Sequence, residues 1–132
     1  PGISSNLGVY PLEPNADTVG DWMDSCEKLL KLSNDEQLVL PGHGRPFSGL
    51  PRRLLQLIEN HKAALKRIEE ALKVGPKTAV ELFKTIFKRD INKREYMLAL
   101  HEAVGHVNHL YKAGLVNRDV GPDGAFIFGL KK

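Results

Sequence analysis

Apolar residues recur at helical spacing through most of this chain. Val19, Trp22, Met23, Cys26, Leu29 and Leu30 fall on one side of a helix that Asp17 can cap and that runs to about Lys31. Leu54, Ile58, His61, Leu65, Ile68 and Leu72 mark a long helix with Pro51 in its first turn, stopped by Gly75-Pro76. Thr78 and Glu81 have capping-box spacing for a short helix through Phe87. Asn92 and Glu95 repeat that logic for a helix ending at Gly114, with Met97, Leu100, Val104, Val107 and Tyr111 as its expected core stripe.

Elsewhere the period shortens. Gln37 to Leu40 is a short apolar run of the kind that forms a buried strand. Leu115–Arg118 and Ala125–Phe128 flank Gly121-Pro122-Asp123-Gly124, which predicts a hairpin. Short helix, longer helix, then hairpin is the order of a winged helix-turn-helix. The fold class expected is therefore α+β and mainly helical.

Charge divides this order in two. Residues 1–50 hold three Lys or Arg against seven Asp or Glu, and residues 51–132 hold sixteen against nine. An acidic unit over 1–50 and a basic one over 51–132 follow, with the boundary near Ser48–Pro51. The opening PGISSNLGVYPLEP is rich in Pro and Gly and carries no initiator Met, which reads as irregular chain belonging to something longer. At 42% hydrophobic residues the chain can build a core. No apolar run reaches the length of a membrane span and no signal-peptide pattern is present. Cys26 is the single cysteine, so neither an internal disulfide nor a multi-thiolate zinc site can form. A reducing compartment, cytoplasm or organelle matrix, is the expectation.

The motif that carries chemistry is Val39-Leu40-Pro41-Gly42-His43-Gly44. It resembles the last metal-binding motif of the metallo-β-lactamase superfamily. Residues 51–132 resemble the winged-helix region that follows the catalytic fold in the lactamase-β-like 2, glyoxalase II-like branch. Pro1-Gly2-Ile3-Ser4-Ser5-Asn6 resembles the segment after that family's bridging aspartate. The resemblance implies the last strand and helix of an αβ/βα fold, followed by a winged helix. It further implies that His43 is a metal ligand, usually for one of two zinc ions, and that Ser4, Ser5 and Asn6 line the substrate channel. Neutral imidazole is a good zinc ligand, and paired metals generate a hydroxide that attacks esters, thioesters or phosphodiesters.

One histidine cannot hold zinc, which takes about four ligands, and the family's HxHxDH motif is absent from this sequence. The implied partner is an N-terminal catalytic portion supplying the metals and the pocket for an ester, thioester or RNA substrate, and this chain alone is expected to be inactive. His101-Glu102-Ala103-Val104-Gly105-His106 is not a zincin motif. Its histidines are five apart, about 140° around a helix. His106 and His109 are expected to face solvent or cap the helix, and His61 to be a hydrogen-bonded core residue. Trp22, Met23 and Cys26 read as core, and Cys26 has no adjacent base to make it a nucleophile.

The rival reading is a winged helix that binds nucleic acid. The helix face opposite the expected stripe would then carry Glu95, Leu98, Glu102, His106 and His109. Arg94, His109 and Lys112 would be the contact residues. Two carboxylates on that face repel phosphate, which weakens the reading.

Overall fold

The computed structural model describes residues 7–132. Its elements run α1 (Thr18–Leu32), α2 (Leu50–Leu72), a 3-10 turn (Val80–Leu82), α3 (Phe83–Phe87), α4 (Tyr96–Lys112), β1 (Val116–Val120) and β2 (Phe126–Leu130). This is an α+β arrangement of four helices and one two-stranded sheet.

Local chemistry sets most of the boundaries. The Asp17 carboxylate accepts from the Gly20 amide at 2.9 Å and starts α1. Before α3, the Thr78 amide donates to Glu81 at 2.7 Å while the Glu81 amide donates to the Thr78 hydroxyl at 3.3 Å, a reciprocal capping box. The same pattern ahead of α4 is only half made. Asn92 accepts from the Arg94 and Glu95 amides, but the Glu95 carboxylate turns to Arg89 in a bidentate pair at 2.8 and 2.9 Å. α4 closes in a Schellman motif: the Leu115 amide reaches the Leu110 carbonyl and the Gly114 amide that of Tyr111, with Gly114 at φ 77°.

β1 and β2 pair antiparallel, from Val116 opposite Leu130 to Val120 opposite Phe126. Lys77 adds an isolated antiparallel bridge to Phe128 on the far side of β2, through bonds of 2.9 and 2.8 Å. The strand expected over Gln37–Leu40 is reduced to one bridge, Val39 with Phe47. No further strand lies beside it among the described residues, and a strand needs a neighbour to hydrogen-bond.

The main core joins Leu7 and Val19 to Leu65, Ile68 and Leu72 of α2, Leu82, Phe83, Ile86 and Phe87 around α3, Ala99, Ala103, Val107 and Leu110 of α4, and Val116 and Phe128 of the hairpin. A smaller cluster of Cys26, Leu54 and Ile58 holds α1 to α2, and Trp22 packs against both. The phase of α4 differs from the expected stripe. Met97 and Tyr111 are exposed, while Glu102, His106 and Asn108 are buried. The helix is packed on several sides, by α1, α3, the hairpin and the chain before α1. Small residues, Ala99, Ala103 and Gly105, share its buried positions with Val107 and Leu110.

Candidate functional site

α1 and α2 are clamped together by Cys26, Leu54 and Ile58, and the connection between them carries the glycine-proline loop. Its ends are fixed by the Val39–Phe47 bridge, whose two bonds measure 2.8 and 3.1 Å. Between them Gly44 takes φ +100°, a value that side-chain-bearing residues avoid, so the turn requires a glycine there. His43 stands at the tip, exposed and without a hydrogen-bond partner among the described residues. Leu38 and Leu40, on either side of Val39, are 68% and 74% exposed.

Among the described residues, no group of three or more His, Cys, Asp or Glu side chains is placed to hold a metal ion. Ser4, Ser5 and Asn6 lie outside the described residues.

The other histidines have different settings from those expected. His106 is buried, at 1% exposure, rather than solvent-facing. Its Nδ1 donates to the Glu102 carbonyl at 2.8 Å, which fixes the tautomer and leaves Nε2 a buried acceptor with no partner. Burial lowers its pKa to about 4, so the ring is neutral at physiological pH. His61 is half-buried, and its contact is a tilted ring at 5.7 Å from that of His106 rather than a hydrogen bond. Burial lowers its pKa as well. His109 donates from Nδ1 to the Asp17 carboxylate at 3.0 Å, so one aspartate caps α1 and ties it to α4. Cys26 is buried and its thiol pKa is pushed up by that burial, the opposite of an activated nucleophile.

The three residues of the nucleic-acid reading do not form one surface. Arg94 precedes the start of α4, Lys112 ends it, and helical rise separates those ends by about 25 Å. His109 is already held by Asp17. The supposed reading face contains Glu102 and His106, which are inside the molecule.

One grouping was not legible from spacing. Arg118 of β1 lies over the rings of Tyr111 and Phe126, at 4.5 and 4.6 Å from their centroids, and donates to the Asn15 side chain at 2.9 Å. It borders an open cavity of about 340 Å3 together with Asn15, Asn108, Tyr111 and Lys112. Only the hairpin register and the docking of residues 14–17 on α4 bring these positions together, so no local motif signals them.

Residues 65–131 match the family model described as the metallo-beta-lactamase-like C-terminal domain. Among solved structures, a β-lactamase domain protein from Burkholderia ambifaria superposes with a TM-score of 0.90 at 32% identity, over 98% of this chain and 38% of that one. A metallo-β-lactamase family protein from Thermus thermophilus gives 0.76 at 26% identity, over 98% of this chain and again 38% of its own. No curated protein matches the sequence. The chain therefore corresponds to little more than a third of the length of these solved relatives.

Proposed function

Because this chain belongs to the metallo-beta-lactamase-like C-terminal domain family and is a C-terminal part of a protein of that superfamily, we propose that the intact protein is a metal-dependent hydrolase to which His43 contributes one ligand. Residues 1–50 would be the last piece of the catalytic unit and residues 51–132 a winged helix packed beside the substrate channel. The order α2, Lys77 bridge, α3, α4, hairpin supports the winged-helix assignment. The remaining donors and the metals, zinc by the chemistry of an imidazole site, would come with the rest of the polypeptide. When bound, such ions would supply Lewis-acid activation of a water molecule. This chain's own part would be to hold one imidazole on a pinned turn and to cover the flank of the pocket. An ester or thioester, or an RNA phosphodiester, is the substrate class.

The observation that carries the reading is the exposed, unpartnered His43 at the tip of a loop whose ends and glycine geometry are fixed. It is tested in the full-length protein with His43→Ala, read by metal content and by hydrolysis of thioester, lactone and RNA substrates. About one metal equivalent and most of the turnover should be lost while thermal stability of the metal-free protein is unchanged, since the side chain is exposed and makes no hydrogen bond among the described residues. Unaltered metal content and turnover would sink the proposal.

A further inference from the structure

The open cavity beside Arg118 is bordered by two cations, Arg118 and Lys112. Arg118 is held on three sides: by the faces of Tyr111 and Phe126 and by the Asn15 carbonyl oxygen. A guanidinium fixed in this way has lost its rotamer freedom before any ligand arrives, and it keeps N–H groups free for a planar, two-point contact. Lys112 reaches the same cavity from the last turn of α4. Neither cation pairs with a carboxylate among the described residues. Asp17 is engaged by His109, and Asp119 falls on the other face of the hairpin by strand alternation.

The floor is equally built. Asn108, at 4% exposure, donates to the carbonyls of Pro14 and Ala16 at 2.8 and 3.2 Å, which fixes the segment carrying Asn15 against α4. The two positive charges match a phosphate monoester, which carries about −1.5 to −2 at neutral pH, better than a single carboxylate.

We propose that the cleft of Asn15, Asn108, Tyr111, Lys112 and Arg118 binds the phosphate group of a small phosphate ester. Arg118 is the principal contact. Lys112 is the lesser one, because its charge also offsets the negative end of the α4 dipole. This inference is independent of the metal-ligand role of His43.

The test is calorimetric titration of the full-length protein with inorganic phosphate and with phenyl phosphate, in parallel with Arg118→Gln, Arg118→Lys, Lys112→Gln and Asn15→Ala. The component lost in Arg118→Gln isolates this cleft from any phosphate held by a metal centre. A loss of about tenfold or more is expected for Arg118→Gln. Arg118→Lys should recover little of it, because the fork is gone, and Lys112→Gln should cost about threefold. Should Arg118→Gln fail to fold, Lys112→Gln and Asn15→Ala still decide the matter, because both leave the hairpin core untouched. Equal phosphate affinity in wild type and all four variants overturns the proposal. So does acetate binding as well as phosphate. It is also overturned if an eight-nucleotide single-stranded RNA binds with a steep salt dependence that requires Arg94, while phenyl phosphate does not bind.

Discussion

Gly105 offers the sharpest check on how the chain before α1 is seated. It lies inside α4, where replacing Gly with Ala ordinarily stabilises a helix by about 1 kcal/mol. A Cβ built at this position would stand 2.6 Å from the Leu7 carbonyl oxygen, 2.8 Å from Thr18 Oγ1 and 3.6 Å from Val19 Cγ2. The first of these is backbone, and it already accepts the Thr18 hydroxyl at 2.6 Å. Leu7 and Val19 are 2% and 0% exposed, so neither can retreat without opening the core. Overpacking of this kind costs about 1–3 kcal/mol, and loss of the Thr18 bond adds about 1 kcal/mol. Set against the helix-propensity gain, Gly105→Ala should destabilise by about 1–3 kcal/mol. Urea denaturation followed through Trp22 fluorescence is the assay, because Trp22 packs against both core clusters and is the only tryptophan in this chain. Adding Thr18→Ala removes one of the two oxygens in the way, so the double variant should be more stable than the sum of the singles predicts. A Gly105→Ala protein that melts at higher urea than wild type would refute the close approach, because propensity alone would then decide the sign.

Other outcomes follow from the same contacts. His106 has a folded pKa of about 4 against an ordinary value of 6.5, so the unfolded chain binds more protons between those values. Its contribution is complete above about pH 6.5, declines as pH falls toward 4 and is lost below that, about 3 kcal/mol in all. His61, lowered in the same direction, adds to the slope, so His106→Gln should flatten the stability-against-pH curve without abolishing its slope. Asp17→Ala should cost about 1–2 kcal/mol in a urea melt, while Asp17→Asn keeps the cap and recovers most of it. Full recovery by Asn, with no dependence on His109, would show that the link to α4 contributes nothing. Cys26 should react with a thiol reagent on the order of a hundredfold more slowly in the native protein than in urea, and comparable rates would mean that the α1–α2 cluster is open.

What the sequence determines here is local. The caps at Asp17 and Thr78–Glu81, the glycine exits at Gly75 and Gly114 and the hairpin turn are bonds within a few residues, so their spacing alone specifies them. The loop of His43 belongs with these, since proline and glycine dictate its shape wherever it lies. What the tertiary structure decided is which faces meet. Large apolar side chains suggested a core stripe on α4 through Met97 and Tyr111, but those two are exposed, and the buried face runs through Ala99, Ala103, Val107 and Leu110, with Gly105 set against the Leu7 backbone. Glu102, His106 and Asn108 go inside with them. Asp17 meets His109, and Asn15 meets Arg118, across 92 and 103 residues of chain. No periodicity encodes such encounters, because each depends on the docking angle of one element against another and on the backbone groups left there to be satisfied.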